Sequence, residues 1–436
     1  RQNLVVQKAG LFLSRSQSVY EGLKSYQSNI NTKVSQDIDK INKLGHKIHE
    51  LNQQISKIEA GGIETAMDLR DERDLALDQL GALAKISYKE DYKGVVTVKL
   101  EDEYFVDELH TYEIGKKTDK LTGFITPYWP QLSDTDRDIY VNVFDFNVDI
   151  STALNSDVGE LKALIMSRGD HWADYSDIEG KGEQEYLDTT NLSVIIDMQA
   201  KLDQMVHNMI TAINDQLCPN VTGPVGVTYQ DANGNTVNLS DAKVLDTENC
   251  ARGSDGELPP RELFVRAGIE RYTEVTGSDG KTYYVYNEED TSDTSYMYSL
   301  TSCGVNEELK KIETLFPHLK QNGEVDQQLG ERLEALWNKD LVGLDPTDPD
   351  ECNIEEYYQK MIGGLATVGN VYQKKAEDLA GSVLTIENNR QQVIGVSSDE
   401  ELQNMIKFQN AYNASSRFMT VISDMIEHIV TRLGNG

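Results

Sequence analysis

The sequence is 436 residues long, room for two to four domains, and carries 73 acidic against 41 basic side chains for a formal charge of −32. That excess repels polyanions, which argues against DNA, RNA or an anionic membrane held by bulk electrostatics. No run approaches the roughly eighteen apolar residues of a membrane helix, and Arg1–Leu13 lacks the unbroken apolar core of a secretory signal.

Helical periodicity opens the chain. Ile30, Val34, Asp37, Ile41, Leu44, Ile48, Leu51, Ile55 and Ile58 recur at alternating steps of four and three, the mark of a helix buried along a neighbour. Asp37 alone is polar there, and Ile38 beside it is placed to share its contact. The pair Gly61-Gly62 predicts the stop, because glycine loses the most backbone freedom in a helix. A second helix is expected over 64–85, its charged run Asp68–Asp74 rich in pairs at helical spacing. Leu69, Ala76, Leu80 and Leu83 form its apolar stripe.

From 87 to 140 the period shifts to two. Val96, Val98 and Leu100 alternate with Thr97 and Lys99, which predicts a half-buried antiparallel strand. Helical spacing returns at Glu160–Met166 and in Ile195, Met198, Leu202, Met205, Met209 and Ala212. The methionines read as core packing, not as ligands, since Met fills irregular gaps.

A second β-rich stretch is expected over 218–300. Asn233-Gly234 and Asp279-Gly280 each separate two strand-like runs and predict two-residue hairpin turns with positive φ at both positions. The many tyrosines suit an exposed surface module. Cys218, Cys250, Cys303 and Cys352 lack metal-ligand spacing; Cys218 and Cys250 flank a turn-rich segment and are open to either a disulfide or buried free thiols. The acidic connector Asp345-Pro346-Thr347-Asp348-Pro349-Asp350 precedes a long helix carrying Met361, Leu365, Val368, Tyr372, Leu379, Val383 and Ile386 to about 390.

The chain ends on its best helical row. Met405, Phe408, Tyr412, Ser415, Met419, Ile422, Ile426, Ile429 and Leu433 alternate steps of three and four, and Ser398 with Glu401 reads as a capping box. Such a row needs a partner, and the N-terminal row is the natural place to seek one. An ordinary helical domain interrupted by an insertion accounts for the same pattern.

The search for catalytic chemistry yields little. His49-Glu50 begins the zinc pattern HExxH, but Gln53 occupies the second ligand position; His46 and His49 are expected on a solvated face. Asp134, Asp136 and Asp138 alternate like a calcium loop, yet Ile139 replaces the turn glycine and Asp145 the closing glutamate, so an acidic turn is expected instead. No GxGxxG, Walker-type loop or nucleophile elbow occurs.

Three ordered stretches carry a resemblance. They are Gly395–Glu401 with Lys407–Arg417; Leu51–Ile55 with Asp68–Asp74; and Gly159–Leu164 with Arg168 and Asp170. Together they resemble the hook-associated protein 1 family of bacterial flagellar axial proteins, the hook–filament junction proteins. The first stretch is similar to rod and hook proteins as well; the other two select the junction family. The sequence after Asn214, Asp215-Gln216-Leu217-Cys218, departs from that pattern, so nothing about the outer surface carries over.

The resemblance implies an elongated, multidomain α+β fold whose terminal α-helices form an axial helical bundle or coiled coil bearing inserted β-rich outer domains. The expected partition is axial helices at 1–86, a β-rich insert at 87–158, a helical segment at 159–217, an outer β domain with the acidic connector at 218–354, an axial helix at 355–392 and an inner-tube helix at 393–436. The family's extreme N-terminal segment is expected to be missing ahead of Arg1, where the first residue is not Met.

Phe408, Tyr412, Met419, Ile422, Ile426 and Ile429 are the expected packing residues of the assembly and chaperone surface, with Gln409 and Arg417 making polar contacts. The implied neighbours are hook protein, a second junction protein, copies of itself and a cytoplasmic export chaperone, with no cofactor and no enzymatic activity. The implied location is the extracellular flagellum, reached without a cleaved signal peptide. Other flagellar axial components, such as flagellin or hook protein, and a secreted helical-stalk adhesin are the competing readings.

Overall fold

The structure is a computed structural model that describes residues 2–62, 65–146, 158–232, 234–394, 405–407 and 409. The chain divides into two compact units, Arg1–Leu365 and Ala366–Gly436.

Helix α1, Gln2–Glu59, dominates the first unit. No proline interrupts it, and just past its end Gly62 adopts φ +66° and donates its N–H to the Glu59 carbonyl at 2.9 Å. Gly45 is present for a different reason: a Cβ there would lie 2.6 Å from Cζ of Phe105, so the helix and the sheet approach too closely for a side chain. Helix α2, Met67–Leu83, folds back along α1. Strands β1 (Ile86–Glu90), β2 (Val96–Leu100) and β3 (Glu103–Val106) form an antiparallel sheet in which Val96, Val98 and Leu100 point inward as the alternation requires. Strands β4 (Gly115–Thr118) and β5 (Ile125–Tyr128) pair separately.

Helices α3 (Glu160–Arg168), α4 (Glu183–Asp188) and α5 (Val194–Leu217) follow. A four-stranded sheet then combines β6 (Asn220–Thr222), β9 (Lys243–Leu245), β11 (Tyr272–Thr276) and β12 (Thr282–Tyr286) in the order β11-β12-β9-β6. The small pairs β7 (Thr228–Gln230) with β8 (Thr236–Asn238), and β10 (Phe264–Val265) with β13 (Gly304–Val305), flank it. Helices α6 (Glu307–Lys311), α7 (Gln328–Ala335) and α8 (Ile354–Ile394) follow.

The first unit holds two large cores. In one, Val6, Ala9, Leu13 and Tyr20 of α1 meet Met205, Met209 and Ile210 of α5, the 245–316 region, and Tyr357 and Met361 at the root of α8. In the other, Ile30, Val34, Ile38, Ile41, Leu44 and Ile48 of α1 meet Ala76, Leu77 and Leu80 of α2 and the inward residues of β2 and β3. The N-terminal row is therefore covered within its own unit, a correction to the search for its partner at the other end of the chain. The segment following α1 folds back and supplies the nearest apolar surface. Ile58 ends the row 43% exposed, and Ile38 takes the core position beside Asp37.

Three more expectations are corrected or decided. Asp279 has no positive φ; only Gly280 does, at +78°, and Gly277 N–H donates to Lys281 O while Gly280 N–H donates to Gly277 O. The hairpin is thus a three-residue turn closed by a left-handed glycine, because one such residue suffices when a type I turn precedes it. Gly234 repeats the arrangement with Asp231 and Asn235. Tyr272 and Tyr298, expected on display, are buried at 6% and 0% exposure, since their hydroxyls find internal acceptors. All four cysteines are free and buried, and burial pushes the Cys303 thiol up to about 12.

Candidate assembly interface

A helix 58 residues long cannot bury every face in one subunit. On α1, the residues Leu4, Lys8, Leu11, Arg15, Val19, Gly22 and Tyr26 fall at steps of four, three, four, four, three and four, all on the exposed side. Leu4, Leu11, Val19 and Tyr26 are 43–59% exposed. Lys8 and Arg15 have no ion-pair partner among the described residues. Glu21 is the single acid before Asp37 and is engaged with Lys24 at 3.2 Å. A mixed apolar and basic stripe thus runs along a chain whose net charge is strongly negative.

The root of α8 adds a second exposed row in the same unit. Tyr357 and Met361 face inward while Tyr358, Ile362 and Leu365 are 38–51% exposed. This root is held firmly. The Tyr357 hydroxyl lies 2.9 Å from Gln204 Oε1 and 3.0 Å from the Lys201 carbonyl. Lys201 Nζ pairs with Asp345 and with Asp197, each at 2.9 Å. Burial opposes ionisation of Asp345, but the Thr347 hydroxyl and the Lys201 ammonium outweigh it and hold the carboxyl below the usual range. The acidic connector is consequently a buckle on α5 and not a loose linker.

In the second unit, Val368, Val371, Tyr372, Leu379, Val383, Leu384 and Ile386 of α8 are exposed, as are Met405 and Ile406. Gln409 is helical and exposed. Phe408, Tyr412, Arg417, Met419, Ile422, Ile426 and Ile429 lie outside the described residues, as does the capping box at Ser398 and Glu401. Sequence reasoning missed the α1 stripe, whose signal was legible: an apolar and basic row at helical spacing with almost no acid around it.

The weaker motifs take structural places. His46 is exposed with Nε2 2.6 Å from Glu113 Oε1, and His49 Nδ1 is 3.2 Å from the Asp107 carbonyl. Asp134 caps a single turn by accepting the Arg137 N–H at 3.3 Å, and Asp138 completes it at φ +58°. Among the described residues no three His, Cys, Asp or Glu side chains are placed to hold a metal ion, and no helix is long and apolar enough to cross a membrane.

The family described as flagellar hook-associated protein FlgK helical domain matches residues 1–236, more than half of the chain. The family described as flagellar basal body rod FlgEFG protein C-terminal matches residues 391–432. The curated "Flagellar hook-associated protein 1" of Bacillus subtilis (strain 168) is 22% identical over 455 aligned positions, covering 100% of this chain and 72% of the relative. A solved structure of the flagellar hook junction protein FlgK from Burkholderia pseudomallei is similar at 14% identity and a TM-score of 0.41. That likeness covers 73% of this chain, which spans 56% of the solved one. The chain belongs to the flagellar hook-associated protein FlgK family.

Proposed function

We propose that this protein is a junction subunit that joins the flagellar hook to the filament, a structural rather than a catalytic component. Its neighbours in the axial tube are hook protein, a second junction protein and further copies of itself. The observation that carries the reading is the pair of exposed helical rows, on α1 and on α8, in a chain whose two ends both match flagellar families.

The C-terminal row from Met405 to Leu433 extends the same logic to a chaperone. An apolar stripe of that length aggregates if left bare in the cytoplasm, so a dedicated partner covers it until export to the extracellular flagellum. Phe408, Tyr412, Met419, Ile422, Ile426 and Ile429 pack that surface, with Gln409 and Arg417 at its polar margin.

The test compares Leu11→Asp and Ile422→Asp in cells. Both variants should keep the wild-type circular dichroism and melting profile yet fail to support filament growth at the hook tip. Normal filaments on either variant would exclude its row from assembly, and normal filaments on both would refute the reading.

A further inference from the structure

Arg168 closes α3 beside a cavity of about 550 Å³ that it lines together with His171 and Lys181. Its residue is only 2% exposed. Nε donates to the Gly169 carbonyl at 3.0 Å, and Nη1 donates to Asn31 Oδ1 at 2.6 Å and to the Ile125 carbonyl at 2.9 Å. All three acceptors are neutral. Nη2 has no acceptor, and the guanidinium no carboxylate within ion-pair reach, among the described residues. Burial pulls its proton affinity down to about 10, which still leaves it charged at neutral pH.

The carboxylates nearby are committed to other cations. Asp170 holds His171 Nδ1 at 2.6 Å, and Asp177 holds His171 Nε2 at 3.1 Å. Between them they keep the imidazole charged, up to about 10. Lys181 Nζ reaches Asp177 Oδ1 and Thr190 Oγ1 only at 3.4 Å each, long enough to be exchanged for a better acceptor. Asp170, Asp177 and Asp188 also line the cavity; Asp170 acts on Arg168 through space, and the guanidinium lies 4.6 Å over the Phe124 ring. What the wall leaves open is one edge of a buried guanidinium, Nη2, without an acceptor among the described residues, and a second cation that is loosely held. A guanidinium N–H left without an acceptor gains a charge-assisted hydrogen bond when an oxyanion enters, and a guanidinium fork is the side chain best shaped to receive one.

We propose that this cavity is a binding site for a small oxyanion, a carboxylate or phosphate group carried on a ligand of roughly monosaccharide size, gripped by Arg168 Nη2 and Lys181 Nζ. The volume lies within the range of ligand pockets and exceeds what a bare ion needs. The site is separate from the helical rows, so its failure would leave the assembly reading untouched.

The test is an amide NMR titration of the full chain, at low and high salt, with inorganic phosphate, with glucuronate and with glucose as the neutral control. Saturable shifts at Thr190, Ser193 and His171 are expected with at least one charged probe and not with glucose. Which probe saturates tells a phosphate source from an acidic sugar. Lys181→Met should keep the melting temperature and weaken binding about tenfold or more, a loss equal to one charge-assisted contact. Arg168→Lys should abolish binding; should that variant fail to fold, Lys181→Met alone decides. Absence of a saturable shift with either anion, equal response to glucose, or undiminished binding in Lys181→Met would overturn the proposal.

Discussion

Asp203 has lost all contact with water. It sits on α5 at 0% exposure and accepts the Leu300 N–H at 2.6 Å, the Tyr175 N–H at 3.0 Å and the Ser299 hydroxyl at 3.2 Å. Burial nevertheless pushes its carboxyl up to about 7, and burial does the same for Glu262 against the opposing pull of Arg271. A carboxyl that titrates higher when folded binds its proton on folding, so between roughly pH 4 and 7 these two add stability as pH falls. His171 acts in the same direction at higher pH. Its hydrogen bonds to Asp170 and Asp177 raise it to about 10, giving stability that is whole below about 6.5 and lost as pH climbs through 10. The melting temperature should therefore decline from pH 5 to pH 9. In Asp203→Asn the decline between pH 5 and 7 should be shallower, by about 1 kcal/mol per pH unit in unfolding free energy. A melting temperature that rises over this range, or an unchanged slope in the variant, would refute the assignment.

Elements are joined by side chains that their own periodicity does not announce. Arg73 lies in the charged run of α2, where helical spacing suggests solvent, yet it is 1% exposed. Its Nη1 donates to Asn52 Oδ1 on α1 at 3.1 Å and to the Gly94 carbonyl in the β1–β2 turn at 2.6 Å, while Nη2 meets Glu90 at 3.1 Å. One guanidinium thus ties α1, α2 and the hairpin together. Asn52 completes the junction by accepting the Val96 N–H at 3.0 Å and donating to the Val96 carbonyl at 2.8 Å. Arg70, one turn earlier, also pairs with Glu90 and with Glu59, but from a quarter-exposed position. Urea denaturation should find Arg73→Met destabilised by about 2–3 kcal/mol, because it strands buried acceptors. Arg70→Met should cost less than about 1 kcal/mol, the usual worth of a wet ion pair. Equal costs would mean that burial is not what distinguishes the two.

At the scale of the whole first unit, two helices thread both large cores. α1 contributes Leu13 and Tyr20 to one and Ile38, Ile41 and Ile48 to the other. α5 places Ile195 in the second and Met205, Val206 and Met209 in the first. Neither core can lose its packing without releasing a helix that the other needs. Residues 1–365 should accordingly unfold in urea as one transition, and Val206→Ala should lower amide protection in β2 as much as in β11. Two resolved transitions would show that the cores are independent.

Local rules were enough for much of this. The four-three spacing marked α1 from Ile30 and the inward face of α5, period-two alternation marked β2, and turn dipeptides marked the hairpin glycines, because each depends on neighbours a few residues apart. The same spacing marked a C-terminal row whose core positions, Phe408 and Tyr412 among them, lie outside the described residues. Three assignments depended on contacts made across long sequence distances. The N-terminal row was paired by α2 and the sheet, Arg73 was drawn inside by Asn52 and Gly94, and Tyr272 and Tyr298 were turned inward by acceptors on other elements. Periodicity determines that a face of a helix must be covered and which residues compose it. Which surface covers it, and which charges are carried inside with it, only tertiary structure decides, because burial and hydrogen-bond satisfaction are properties of what folds against a face and not of the face itself.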